Sequence, residues 1–299
     1  MKNKTILSHR SKEPENSILY IVGTPIGNLN DISLRAINIL QNVSLIACED
    51  TRQTSKIMNK FHISNKLISF NEHNALNKIP KIINKLNRGD SIALVSDAGM
   101  PGISDPGENL IKRVKREGYD VICVPGACAA ITALVSSGMP TSSFVFHGFL
   151  PRKKNDRNKI LREISQSEKT TILFESPNRL KKLLEELSKF CGGQREVEVA
   201  RELTKKFEEH ICNDIQKLIE FFKDKDVIGE ITLVIKGVQK KDVELNKIFL
   251  RRELSELITA GLSHSAASKY LAKKNGLKKS EIYNLNLDNN NLRNYVLHF

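Results

Sequence analysis

The sequence predicts two α/β domains followed by a small C-terminal helical extension. Three observations carry that prediction. Short apolar runs alternate with amphipathic stretches from Ser17 to Ser137, the pattern of a parallel sheet covered on both faces. The rhythm breaks at Gly138–Ser143 and restarts. From Val243 onward no strand pattern appears before the last few residues. The predicted boundaries are a polar tail over 1–16, an N-terminal α/β domain over 17–140, a second over 141–240 and a basic helical extension over 241–299.

Within the first domain, Ile18–Val22 is an apolar run that empties into Gly23–Asn28. A helix follows, with Asp31 as the expected N-cap and Ile32, Ala36, Ile39, Leu40 and Val43 along one face. Further strands are expected at Ser44–Cys48, Leu67–Phe70, Ser91–Val95 and Asp120–Val124. Between them lie helices, one at Ile79–Leu86 closed by Gly89 and one at Leu110–Glu117 closed by Gly118. In the second domain the strand candidates are Phe144–Gly148, Thr170–Phe174, Glu196–Ala200, Phe207–Ile211 and Glu230–Ile235. Ser265–Tyr283 reads as helix, tight turn at Gly276, helix. A nucleic-acid-binding helix-turn-helix and a plain αα-hairpin packed on the body both fit it.

At 299 residues the chain can bury two cores. No run approaches the roughly 18 apolar residues of a membrane span, which predicts a soluble protein with no membrane partner. The polar N-terminus lacks an apolar signal core, so export is not expected. Cys48, Cys123, Cys128, Cys191 and Cys212 form no Cys-x-x-Cys and no zinc spacing; buried, reduced thiols in a cytoplasmic protein and no metal are expected. The net charge of +13 suggests an acidic partner, most plausibly nucleic acid. A compositionally biased, Lys- and Asn-rich genome would also produce such a charge. Clustering favours the partner: Pro151–Lys169 holds Arg152, Lys153, Lys154, Arg157, Lys159, Arg162 and Lys169 against three acids, and Leu245–Phe299 holds nine bases against four acids.

Four loops at strand ends carry the candidate chemistry. Leu94–Gly107 runs from a strand into three glycines, two prolines, Asp97 and Asp105, a composition that neither helix nor strand tolerates. Gly23–Asn28, Cys48–Arg52 and Val124–Ala130 are the others. The phosphate-loop pattern Gly-x-x-x-x-Gly-Lys-[Ser/Thr] and the dinucleotide pattern Gly-x-Gly-x-x-Gly are both absent, which excludes a Walker-type NTPase and an ordinary NAD enzyme.

Taken in order, Leu19–Leu29, Cys48–Arg52, Leu94–Gly107, Pro125–Leu134 and Ala200–Lys205 resemble the tetrapyrrole-methylase-type methyltransferases, and within them the branch that acts on small-subunit ribosomal RNA. The resemblance spans about Ser17 to Gly237, and the basic helical tail fits the same branch; Met100 departs from it, standing where threonine is expected. It implies two α/β domains with an S-adenosylmethionine cleft between them, methyl transfer to the ribose 2′-hydroxyl of a cytidine in the decoding centre of 16S rRNA, and a homodimer. Carried over by motif, Asp97, Ala98, Gly99, Pro101, Ala129, Ala130, Phe174, Glu175, Ala200, Arg201, Glu230, Ile231 and Thr232 would bind the cofactor. Thr24, Pro25, Gly27 and Asn28 would border the substrate.

A sulfonium is already a strong electrophile, so such a protein must mainly align methyl and hydroxyl. A positioned base would add roughly 10²–10⁴-fold; the candidates are His73, Glu49 and Asp50, with loop bracing the other role open to His73 and a helix start the other role open to the acids. Arg52, Arg201 and Lys205 suit phosphate or carboxylate contacts, or structural ion pairs. Arg152, Lys153 and Lys154, with Lys273, Lys274, Lys278 and Lys279, are the candidate RNA contacts. A small-molecule methylase of the same fold and a non-catalytic nucleic-acid-binding regulator are the competing readings.

Overall fold

The computed structural model describes residues 13–238 and 240–285. By contacts the described chain divides into two compact units, one running to Ser136 and including Ala200–Glu209, the other Ser137–Val199 with the residues from His210 on.

The first unit holds β1 (Ile18–Val22), α1 (Leu34–Asn42), β2 (Leu45–Cys48), α2 (Thr51–Lys60), β3 (Leu67–Ser69), α3 (Ala75–Asn87), β4 (Ile92–Val95), α4 (Glu108–Arg116), β5 (Asp120–Val124) and α5 (Ala129–Ser136). The strands form one parallel sheet in the order β3-β2-β4-β1-β5, with Tyr20 level with Ala93 and with Ile122. Alternate residues feed two cores. Ile18, Tyr20, Val22, Ile46, Ala93 and Val95 meet α1 and α2 through Ala36, Ile39, Leu40 and Ile57. On the opposite face Leu19, Ile21, Ala47, Ile92 and Leu94 meet α3 and α4 through Ile82, Leu86, Leu110 and Val114. Burial on both faces is why the inner strands β1 and β4, with β2 beside them, read as unbroken apolar runs.

The topology locates the site. The crossover after β1 places α1 on one face, whereas the crossover after β4 places α4 on the other, and β1 and β4 are hydrogen-bonded neighbours. Adjacent strands whose helices leave in opposite directions open a crevice at their carboxyl ends.

Several local expectations change. Ser33, not Asp31, caps α1, its Oγ accepting from Ala36 N at 3.0 Å. Asp31 ends a 3-10 turn (Leu29–Asp31) and Ile32 lies outside the helix. α3 starts at Ala75, a turn before the expected point, and accommodates Pro80 with its ring exposed. Cys48 is buried as expected, but Cys123 and Cys212 are exposed.

The second unit holds β6 (Phe144–Phe149), α6 (Lys154–Gln166), β7 (Thr170–Glu175), α7 (Pro177–Cys191), α8 (Ile215–Phe222), β10 (Ile231–Ile235) and all but the facing ends of β8 (Glu196–Arg201) and β9 (Glu209–Asp214). Its sheet, in the order β6-β7-β10-β8-β9, is mixed: β6 and β7 are parallel, β7 and β10 antiparallel. Leu173, Val197, Val199, Leu233 and Ile235 pack on Leu161, Leu180, Leu184, Leu187 and Leu218 of the helices. β9 begins at Glu209 rather than at Phe207, which stays in the connecting turn.

The tail is α9 (Lys240–Thr259), α10 (His264–Asn275) and α11 (Lys279–Tyr283). Leu254, Ala267, Leu271, Ala272 and Ile282 give it a core of its own. Ser263 caps α10 at its start, and Gly276 closes it in the left-handed conformation at φ +67°, as expected for a glycine after the last turn. Asp288–Asn291 lies outside the described residues. Among the described residues no helix is long and apolar enough to cross a membrane, and no group of three or more His, Cys, Asp or Glu side chains is arranged to hold a metal ion.

Candidate active site

Three loops of the first unit converge at the carboxyl edge of its sheet. Gly23 N donates to Val124 O at 3.1 Å, and Thr24 and Gly99 exchange backbone hydrogen bonds at 2.9 and 3.1 Å. Thr24 Oγ1 adds bonds to the Ser96 and Gly99 carbonyls, each at 3.3 Å. The loops after β1 and β5 touch backbone to backbone: a Cβ on Gly23 would lie 2.7 Å from Gly126 Cα, and one on Gly126 would lie 2.8 Å from Gly23 Cα. Only two glycines allow this approach.

The same stitching revises some assignments. Thr24 and Pro25 are buried, so they shape the loop and offer substrate little but backbone. Gly27 and Asn28 are exposed. Asn28 N donates to Thr204 Oγ1 at 3.0 Å, and a Cβ on Gly27 would overlap the Lys205 and Thr204 side chains at 2.5 and 2.7 Å. Ala200–Glu209, which linear order gives to the second domain, therefore braces the first loop of the first unit.

The edge is acidic. Asp97 Oδ1 accepts from Asp50 N at 3.0 Å. Burial raises the pKa of Glu49, and the neighbouring Asp97, Asp105 and Glu72 charges raise it further. Burial likewise raises Asp97, against the hydrogen bond from Asp50 N, and raises Asp105, with the Asp97 charge adding to it. Asp105, which the sequence left without a role, thus joins Asp97 and Glu49. Crowded, partly desolvated carboxylates are complementary to a cationic ligand, whose charge would offset both burial and mutual repulsion.

Of the proposed bases, Asp50 is already engaged. Its carboxylate caps α2, accepting from Arg52 N at 2.8 Å, and it chelates the Arg52 guanidinium at 2.6–3.1 Å. Those bonds hold its pKa below the ordinary range, the wrong direction for a base. Arg52 is spent on the same pair, its side chain 87% exposed. His73 is exposed in the turn before α3, and that turn is braced by Asn71 and Asn74, whose side chains accept from each other's backbone N–H at 3.0 and 3.1 Å. Ala98 and Ala129 are half-buried, whereas Gly99, Pro101 and Ala130 are buried.

In the second unit the pairing of β7 with β10 brings distant motifs together, Ile231 opposite Glu175 and Thr232 opposite Phe174. Phe174 meets Phe146 edge to face and Phe149 at a tilt, with ring centroids 5.0 and 5.7 Å away. Glu175 has a different role from the expected one. Its side chain is fully buried, 2.5 Å from Arg179 and 3.6 Å from Arg157, which also bonds Glu186 at 2.7 Å. The carboxylate is the hub of a buried charge network. Arg157, counted above with the basic cluster, is 8% exposed and serves that hub.

Among the remaining candidates, Arg152, Lys153 and Lys154 are exposed at the start of α6, as are Glu230 before β10 and Lys273 on α10. Ala200 is fully buried. Arg201 pairs with Glu209 at 2.9 Å and Lys205 with Glu202 at 2.8 Å, so both are ion-paired rather than free cations. Lys274 pairs with Glu253 at 2.5 Å, Lys279 Nζ donates to Ser265 Oγ at 2.7 Å, and Lys278 is exposed before α11, its backbone N donating to Glu281 Oε2 at 3.0 Å. The sequence also gave no hint of the buried Glu198, whose Oε1 lies 2.8 Å from His210 Nδ1.

Comparison with known proteins agrees with this architecture. Residues 18–219 match the tetrapyrrole (corrin/porphyrin) methylases. Proteins named ribosomal RNA small subunit methyltransferase I are similar across most of their length. That of Synechocystis sp. is 44% identical over 91% of this chain and 98% of its own. That of Halalkalibacterium halodurans is 41% identical over 94% and 98%, and that of Bacillus subtilis 40% over 89% and 92%. Among solved structures, a cobalamin biosynthetic enzyme, cobalt precorrin-4 methyltransferase, superposes with a TM-score of 0.58 at 17% identity, covering 74% of this chain and 95% of its own. Uroporphyrin III C-methyltransferase of Thermus thermophilus superposes at 0.53 and 14% identity, covering 73% and 97%. The chain belongs to the tetrapyrrole methylases, in the ribosomal RNA small subunit methyltransferase I family.

Proposed function

We propose that this protein transfers a methyl group from S-adenosylmethionine to the ribose 2′-hydroxyl of a cytidine in the decoding centre of 16S rRNA. The observation that carries the reading is the convergence of the Gly23–Asn28, Asp97–Pro101 and Gly126–Ala130 loops at the switch point of a parallel sheet, beside a row of carboxylates. When bound, the cofactor supplies an electrophilic methyl on a positively charged sulfur. Glu49, Asp97 and Asp105 offer the opposite charge, and the small residues Ala98, Gly99, Ala129 and Ala130 let backbone approach an adenosyl group closely.

The chain's own contribution to chemistry is alignment, supported by the interlocked backbone bonds of Gly23, Thr24 and Gly99. Proton removal from the hydroxyl falls to Glu49, because burial and its neighbours raise its pKa toward the range useful to a general base. The exposed Arg152, Lys153, Lys154 and Lys273 suit phosphate contacts, which supports RNA over a tetrapyrrole as substrate. A cytoplasmic homodimer belongs to the same reading.

The test uses small subunits lacking the modification, purified protein and methyl-labelled S-adenosylmethionine, with the labelled rRNA mapped by nuclease digestion and mass spectrometry. Label on one decoding-centre ribose is the expected result. Cofactor binding without RNA labelling would refute the substrate assignment, and incubation with tetrapyrrole precursors would follow.

A further inference from the structure

Resting on that reading, we infer that Phe207 is a base-stacking platform that holds an unstacked nucleotide of the RNA at the active site. The inference comes from a mismatch between how firmly its loop is built and how little the fold uses its aromatic ring. The connection from β8 to β9 is braced throughout. Arg201 pairs with Glu209, Lys205 with Glu202, Thr204 N donates to Glu208 Oε2 at 2.7 Å, and Thr204 Oγ1 accepts from Asn28 N at 3.0 Å. Backbone bonds from Lys205 N to Glu202 O and from Glu208 N to Lys205 O tighten the turn. Glu202 and Thr204 take positive φ of 53° and 65°, strain that non-glycine residues hold only where the surroundings over-determine it.

At the apex of this rigid turn Phe207 is 67% exposed, although the sequence pattern expected it inside a strand. A phenylalanine in water forgoes the free energy of burial, so the fold gains nothing from it there. Its neighbours specify the partner. Lys206, the residue before it, brings its Nζ to 5.4 Å from the ring centroid, and the turn is docked on Gly27–Asn28 at the carboxyl edge of the first sheet. An exposed aromatic face on a braced turn, with a lysine beside it, suits a nucleobase and its phosphate, and a methylated ribose inside folded rRNA must be drawn out of its stack.

The experiment compares wild type, F207A and F207W on small subunits lacking the modification. It also irradiates wild type with an RNA fragment carrying 5-iodocytidine at or beside the target and maps the cross-link by mass spectrometry. Expected are a fall in kcat/KM of about tenfold to a hundredfold for F207A, recovery in F207W, unchanged S-adenosylmethionine affinity and a cross-link at Phe207. F207A methylating like wild type, or cross-links only elsewhere, would overturn the inference while leaving the enzyme assignment intact. Loss of activity in F207A accompanied by a change in oligomeric state, without a cross-link at Phe207, would assign the ring to protein contact and overturn it too. Wild type that labels no RNA would remove the underlying reading and this inference with it.

Discussion

Gly126→Ala tests whether the glycine pair holds the active site together. The added Cβ would lie 2.8 Å from both Gly23 Cα and Gly23 C, and 2.9 Å from Gly23 O, against an ordinary contact that begins at 3.4 Å. The loops after β1 and β5 must therefore separate by about half an ångström, since neither neighbour is a movable side chain end. Overpacking of this kind costs about 1–3 kcal/mol, which lowers Tm by roughly 3–10 °C for a unit of this size. The displacement pulls on Gly23 N–Val124 O and on the Thr24–Gly99 bridge, so S-adenosylmethionine affinity and turnover should each fall about tenfold or more. Gly118→Ala is the control: its φ of +84° makes alanine strained, yet nothing lies within 4 Å of the new Cβ. That variant should lose about 1 kcal/mol and keep its activity. Calorimetric titration with the cofactor, thermal denaturation and methyl incorporation provide the readouts. A Gly126→Ala protein with wild-type affinity and Tm would show that the loops move freely, and the stitching would lose its meaning.

Other predictions follow from the same geometry. Arg157→Ala removes one partner of a buried network and should cost about 3–5 kcal/mol in denaturant unfolding, whereas Lys153→Ala a few residues earlier should cost almost nothing. Asp50→Ala should lower Tm slightly as a lost N-cap while leaving the pH–rate profile of methyl transfer in place; Glu49→Gln should abolish the acid-side limb, where activity rises with pH. Asp97 has a raised folded pKa, so its ionisation opposes folding: stability is full below the ordinary aspartate value near 4 and declines as pH rises through the raised folded value. Asp97→Asn, which retains an oxygen for Asp50 N–H, should lack that decline and bind S-adenosylmethionine more weakly; identical pH–stability curves for the two proteins would refute the assignment.

The fold was legible where one periodicity dominates. Asp120–Val124 reads as a strand because its hydrophobicity, flanking glycines and β-branched residues agree, and Gly276 marks its turn because a left-handed residue is required there. Legibility failed where a side chain's fate depends on residues distant in sequence. Arg157 looks like any surface cation until β7 delivers Glu175 beneath it. Phe207 satisfies a strand pattern, yet the braces at Glu202 and Thr204 turn the chain before it can pair. In the candidate active site the glycines and carboxylates were readable as types, but their geometry came from juxtaposition: Gly23 meets Gly126, Asn28 meets Thr204, and Glu49 feels Asp97 and Asp105. Asp50 shows the converse, since Asp-Thr-Arg after a strand is as good a helix cap as it is a catalytic motif, and only the hydrogen bonds separate the two.

The brace on Gly27–Asn28 also sets a schedule. Asn28 and Thr204 are 176 positions apart, so a ribosome adding roughly 5–20 residues per second delivers the second about 10–35 s after the first. All five strands of the first sheet have left the ribosome well before that moment. The nascent sheet can assemble early, but its leading loop waits for the turn that fixes it. The loop thereby takes its final form only in chains that are at least two-thirds made.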